Sequence, residues 1–237
     1  MSAIEARGLD RVGVIRALMR THGLRRYLEI GVFNGHVLFR VPSRHKIAVD
    51  PCFRFGAARR IGKTVLHPRN LFIRYFEKTS DAFFAEDAPD VLGGQGVDLA
   101  LVDGLHEYEQ VVRDVDNVLR YLNPGGVILL HDCNPQSAVA AGPYAERGPG
   151  LWNGDVWKAV VHLRSLRDDL DVFVLEADEG LGFVRRIPPR SRLSLTAAQI
   201  GALGYDDLAR NRREWLGLEP PAYFESCFGP GSGARPG

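Results

Sequence analysis

Apolar positions along this chain switch between helical and strand-like spacing, and the changeovers mark its elements. Val12, Val14, Ile15, Leu18 and Met19 recur at helical spacing over residues 9–21, and Gly23 stands where such a helix would stop. Short apolar runs at 26–30 and 46–50, the second closed by Pro51, read as buried strands. Residues 71–76 give a weaker third strand and 97–103 a fourth. Helical spacing returns over 106–122 in Val111, Val112, Val115, Val118, Leu119 and Leu122. Asn123-Pro124-Gly125-Gly126 then reads as a turn into a fifth strand at 127–130. A helix over 155–167 precedes two late strands, 171–175 and 182–185, divided by the turn Asp178-Glu179-Gly180.

Strands alternating with helices predict an α/β fold with a Rossmann-like, doubly wound, mostly parallel sheet covered on both faces. The late pair is joined too tightly for a parallel crossover, so it forms an antiparallel C-terminal hairpin, the last of seven strands. Residues 1–187 make one domain on this reading. Residues 188–237 form a C-terminal extension with one helix over 196–213 and a flexible tail from Gly229.

Composition narrows the setting. The 237 residues are 45% hydrophobic and 25% charged, ordinary values for a globular domain. A net charge of +1 gives no reason to expect nucleic acid or an anionic membrane as partner, and the basic run 54–63 reads as a solvated face. Cys52, Cys133 and Cys227 lie far apart without zinc or disulfide spacing, which fits reduced thiols in a cytoplasmic protein. The charged N-terminus does not read as a signal peptide, and no apolar run approaches the ~20 residues that span a bilayer.

In a doubly wound sheet, ligands bind beyond the carboxyl ends of the central strands. Gly31 and Gly35 follow the first strand and let the backbone approach a ligand closely. Phe33 stands where a dinucleotide fingerprint needs its second glycine, and Glu29 precedes Gly31 by two residues. A carboxylate there repels pyrophosphate but can hold an ammonium, so the ligand is cationic rather than anionic. Asp50, at the end of the second strand about twenty residues on, can accept ribose hydroxyls. Thr79-Ser80-Asp81 follows the third strand and can meet an adenine edge.

These segments, with Val102-Asp103-Gly104-Leu105-His106-Glu107-Tyr108 and Pro124-Gly125-Gly126-Val127-Ile128-Leu129-Leu130-His131-Asp132, resemble class I methyltransferases over about residues 24–185. More narrowly they are similar to the methyltransferase-24 group, related to macrocin-type sugar and catechol-type O-methyltransferases. The resemblance implies S-adenosylmethionine as cofactor, with contacts from Glu29, Gly31, Gly35, Asp50, Ser80 and Asp103, and with Phe33 and Gly104 in the same strand-end loops. In metal-dependent relatives the acids ending strands four and five hold magnesium. The corresponding positions here are Asp103, His131 and Asp132. Leu105 stands where sugar-methylating relatives have a second acid, and His131 replaces one acid of the later pair, so another divalent metal, or none, is compatible with the set.

Methyl transfer from a sulfonium needs a positioned acceptor and removal of its proton. His106 is the candidate base, with Asp132 and Asp155 as further catalytic candidates. Trp152, Asn153 and Trp157, after the segment 134–151 that reads as a lid, suit an acceptor pocket. The expected activity is methylation of a hydroxyl on a small molecule, a sugar or secondary metabolite, by a chain that need not act alone but is compatible with a homo-oligomer. N-methylation without metal, a catalytically silent cofactor-binding protein and a nicotinamide oxidoreductase are the competing readings, the last opposed by the glycine pattern.

Overall fold

The computed structural model describes residues 9–146 and 150–229. Its chain order is α1 (Arg11–His22), β1 (Arg26–Ile30), β2 (His45–Val49), α2 (Ala57–Leu66), β3 (Arg74–Phe76), α3 (Ser80–Glu86), α4 (Ala88–Leu92), β4 (Val97–Val102), α5 (Tyr108–Leu119) and β5 (Leu122–Leu130). Then come α6 (Val156–Leu166), β6 (Asp171–Leu175), β7 (Leu181–Arg185), α7 (Ala197–Ala202), α8 (Tyr205–Leu216), β8 (Leu218–Glu219) and α9 (Tyr223–Phe228). The strands form one sheet in the order β3-β2-β1-β4-β5-β7-β6-β8. From β3 through β5 neighbours run parallel, and β7 is antiparallel to both β5 and β6.

Alternation along β1 shows how the sheet separates its two faces. Leu28 and Ile30 enter one apolar layer with residues of α3, α4, α5 and α6; Tyr27 enters the other, with residues of α1 and α9. Both faces are covered, as a parallel sheet requires. The order reverses at β1 and β4, so the chain leaves their adjacent carboxyl ends in opposite directions and opens a crevice there.

Three sequence expectations change. The sheet has eight strands rather than seven, because Leu218 and Glu219 add a short parallel edge beside β6. The fifth strand starts at Leu122, five residues before the expected place: Val97 pairs with Leu122 and Leu99 with Val127, and the irregularity between them absorbs the Pro-Gly-Gly segment. The single helix expected over 196–213 is two, α7 and α8, broken at Leu203-Gly204. A complete capping box from Thr196 starts the first, and the extended Gly204 starts the second.

The C-terminal extension packs onto the domain. Ile200, Leu208, Leu216 and Leu218 are buried in the same apolar layer as α6. The tail expected to be flexible falls on residues 230–237, outside the described residues. The basic run 54–63 lies mostly on α2, which buries none of its residues, consistent with a solvated face. All three cysteines are free, with Cys52 exposed and Cys133 and Cys227 buried. Among the described residues no helix is long and apolar enough to cross a membrane.

Candidate functional site

The glycine loop after β1 is shaped by its own chain. Gly31 has φ +83°, and a Cβ there would lie 2.0 Å from the Asp103 carbonyl oxygen. Only glycine therefore lets β1 and β4 end side by side. Asp50 accepts hydrogen bonds from the N–H groups of Val32 (2.8 Å) and Phe33 (2.7 Å) through Oδ2, and from that of Cys52 (2.7 Å) through Oδ1. Its first task is thus to hold this loop, and a role toward ribose has to use its remaining lone pairs. Phe33 sits at φ +48° with its ring exposed. A left-handed backbone on a bulky residue is strained and points to function.

Glu29 lies beneath the loop and is only 1% exposed. Its Oε2 accepts a 2.7 Å hydrogen bond from the Tyr27 hydroxyl. Burial pushes this carboxyl up to about 8, against the bond from Tyr27. Ser80 is placed differently from the rest. It is the first residue of α3, and its Oγ accepts from Gln110 Nε2 at 3.2 Å, which ties it to α5. Gly104 lies against the strand ends, where a Cβ would come 3.4 Å from Ile30 Cγ2.

Beyond β4 and β5 four of the candidate residues meet. His106 Nε2 is 3.5 Å from Asp103 Oδ1, and its Nδ1 is 3.3 Å from Asp132 Oδ2. His131 Nδ1 is 3.3 Å from Asp103 Oδ1 and 3.0 Å from Asp132 Oδ2, yet it is buried without an aligned hydrogen bond. Asp132 has φ +60° and is fixed by Asn153, whose Nδ2 donates to Oδ1 at 2.6 Å. Burial disfavours charge on Asp103, but the adjacent His106 and His131 imidazoles and the charge of Arg11 hold it well below the usual carboxylate range. Burial likewise lowers His106, and Asp103 and Asp132 outweigh it, so its imidazole is more basic than usual.

Two residues of this centre carried no sequence signal. Arg11, the first residue of α1, places Nη1 2.7 Å from His131 Nε2 and 2.9 Å from Asp178, with Nε 3.6 Å from Asp103. Asp178 also accepts from the Arg11 backbone N–H at 2.8 Å and lies 3.6 Å from His131. It sits in the β6–β7 turn, where Asp178 and Glu179 both have positive φ. In sequence this turn shows only ordinary Asp-Glu-Gly turn chemistry, and Arg11 is one helix arginine among many.

A cleft of about 650 Å³ opens from His106. Its walls include Trp152, Tyr144 and residues 141–143 on one side, and Leu203, Gly204 and Tyr205 of the C-terminal extension on the other. The Trp152 ring stacks on His106 at 5.0 Å and 14°, and its Nε1 donates to the Gly142 carbonyl at 2.8 Å. Trp157 lines the cleft only through an edge, since it is 1% exposed. Asn153, expected in the acceptor pocket, is equally buried and serves Asp132 instead. Asp155, expected to be catalytic, caps α5 by accepting from Tyr108 N–H at 2.7 Å while facing the cleft. The segment 134–151 folds back through Ala140, whose carbonyl accepts from the N–H groups of Asn153 and Gly154; residues 147–149 lie outside the described residues.

Comparison with known proteins agrees with this architecture. A family model described as a methyltransferase domain matches residues 28–133, from within β1 to just beyond β5. An O-methyltransferase of tomaymycin synthesis from Streptomyces achromogenes, solved with S-adenosylmethionine, is similar in fold at a TM-score of 0.54 and 16% identity, covering 78% of this chain and 79% of that one. An O-methyltransferase from Bacillus cereus, solved with S-adenosylhomocysteine, gives 0.51 at 12% identity, covering 76% and 81%. An uncharacterized protein of Acanthamoeba polyphaga mimivirus is 29% identical over 116 residues, 45% of this chain and 50% of that protein, so the chain spans about half of that relative. The fold is shared with these O-methyltransferases, and the segment 28–133 is similar to a methyltransferase domain.

Proposed function

We propose that this chain transfers the methyl group of S-adenosylmethionine to a hydroxyl of a small molecule held in the cleft beside Trp152, with His106 as general base. The observation that carries this reading is the position of His106. Its imidazole touches Asp103 and Asp132 and forms the inner end of the cleft. The paired carboxylates orient the ring and favour the imidazolium formed when it takes a proton. The glycine loop at Gly31 and Gly35 offers the cofactor its place, and Glu29, buried beneath it, is a carboxyl that a cationic amino group would draw into its charged form.

In the reaction, a lone pair of the acceptor oxygen attacks the methyl carbon as the sulfur–carbon bond breaks and its electrons return to sulfur. The hydroxyl proton passes to His106. Methylation then needs no further reactant, and the neutral thioether leaves with no charge to stabilise.

Asp103, His131 and Asp132 present ligand atoms that all lie within 4.8 Å of one another, the donor set expected for a divalent ion. Such an ion would lower the pKa of the acceptor hydroxyl. The residues do not fit it as they stand, because the Arg11 guanidinium already lies against His131 and faces Asp103. The chemistry above therefore runs through the side chains alone.

The test is methyl transfer from labelled S-adenosylmethionine to a panel of sugar, catechol and amine acceptors, with His106→Ala alongside. A hydroxyl acceptor should be methylated, and His106→Ala should lose about 100-fold or more in kcat. Full turnover by His106→Ala, or transfer only to amines, would sink this reading.

A further inference from the structure

Arg11 brings a permanent positive charge into a centre of three carboxylates, Asp103, Asp132 and Asp178. Its anchoring is unusually complete. Asp178 accepts from the Arg11 backbone N–H at 2.8 Å and from its Nη1 at 2.9 Å, so one carboxylate fixes both the start of α1 and the guanidinium. That carboxylate is presented by two consecutive non-glycine residues with positive φ, Asp178 at 47° and Glu179 at 62°. Strain of this kind persists where the surroundings hold it in place.

From this anchor Nη1 lies 2.7 Å from His131 Nε2. A guanidinium can only donate, so a hydrogen bond at this distance requires Nε2 to accept. Burial opposes charge on this imidazole, yet Asp103, Asp132 and Asp178 push it up to about 11. An imidazolium, however, would set an Nε2–H against the guanidinium at 2.7 Å, so the contact places the single ring proton on Nδ1, the atom that faces Asp103 and Asp132 and has no aligned partner. A metal ligand needs the opposite arrangement, with a bare Nδ1 toward the ion and an N–H on the far side. Arg11 Nε is also buried without a partner, 3.6 Å from Asp103 Oδ2. Both unpartnered nitrogens thus border Asp103.

We propose that Arg11 is the resident cation of this centre, that by holding the His131 lone pair on Nε2 it denies a divalent ion the Nδ1 donor beside Asp103 and Asp132, and that Arg11 and a bound metal exclude one another. Removing the guanidinium frees His131 to turn its Nδ1 lone pair toward the carboxylates and deletes a positive charge beside them. The site then becomes a mixed nitrogen and oxygen set suited to manganese or a later divalent ion.

The experiment is titration of the full chain with Mn²⁺, read as bound ion by electron paramagnetic resonance, so that it needs neither an acceptor nor turnover. Arg11→Gln should bind Mn²⁺ at least about tenfold more tightly than the wild type, and Arg11→Lys, which keeps the charge, should stay within about threefold of it. Adding Asp132→Asn to Arg11→Gln should abolish the gain, which places the ion at this centre. Unchanged or weaker binding in Arg11→Gln would overturn the proposal. So would tight binding by the wild type that Asp132→Asn removes. If Arg11→Gln does not fold, Asp178→Asn releases the guanidinium from its anchor and should show the same gain; no gain there overturns the proposal too. Methyl transfer by the wild type in excess chelator is measured separately and bears on the reaction alone.

Discussion

The Asn153 side-chain amide donates a 2.6 Å hydrogen bond to Asp132 Oδ1, joining the loop before α6 to the loop after β5. Asp132 is in a left-handed backbone conformation and its other oxygen faces both histidines. Asn153 therefore decides which way that carboxylate points. Asn153→Ala should lower kcat about 10–100-fold, the usual scale for a residue that orients a reactive one. It should cost about 1–3 kcal/mol in chemical unfolding, because a buried carboxylate oxygen loses its donor. Asn153→Asp should be worse in both, and full turnover in either variant would contradict the assignment.

Gly31 and Gly104 face each other and differ in tolerance. A methyl group on Gly31 would meet the Asp103 carbonyl oxygen at 2.0 Å, whereas one on Gly104 would sit 3.4 Å from Ile30. Gly31→Ala should weaken S-adenosylmethionine binding about 100-fold or more by calorimetry, while Gly104→Ala should stay within about tenfold. Equal losses would contradict the close approach of the strand ends.

Arg212 ties the C-terminal extension to the loop after β5. Its guanidinium donates to the Asn134 side chain and to the Pro135 carbonyl, the latter at 2.7 Å, just beyond Asp132. Tyr205 on the same helix lines the cleft. Arg212→Ala should raise the acceptor KM about tenfold and leave cofactor affinity nearly unchanged. A matching loss of cofactor affinity would show that the extension does not act on the acceptor side.

Asp114 is a buried carboxyl on α5, pushed up to about 6 by burial, although bonds from Ser80 and Gln110 oppose the shift. A folded value above the unfolded one of about 3.9 means that its contribution is fully present below that pH and is lost as pH rises through about 6. Asp114→Asn should gain up to about 3 kcal/mol on the wild type between pH 4 and pH 7 in chemical unfolding. Parallel stability curves for the two proteins would contradict this.

What the sequence disclosed, and what it withheld, follows from the range of each signal. The strand at 97–102 and the glycine turn after Ile30 were legible because apolar runs and turn residues act locally. Asp103, His106, His131 and Asp132 were legible because each closes a parallel strand or begins the loop after it, and the carboxyl ends of such strands converge. Pro124 inside β5 was not, since the segment 123–126 keeps its local irregularity and is spanned by ladder pairs at Leu122 and Val127 that only tertiary pairing sets. Arg11 and Asp178 were invisible because their meeting depends on how α1 and the β6–β7 turn close over the sheet, at a separation of 167 residues. Asp155 and Asn153 were found as site candidates, but only packing shows that one caps α5 and the other orients Asp132.

Calorimetric titration of the wild type with S-adenosylmethionine, beside NAD under the same conditions, tests the central claim most directly. One saturable site for S-adenosylmethionine, competed by S-adenosylhomocysteine and lost in Gly31→Ala, with no heat from NAD, is the predicted result. Binding of NAD, or no binding of S-adenosylmethionine by correctly folded protein, would contradict the account.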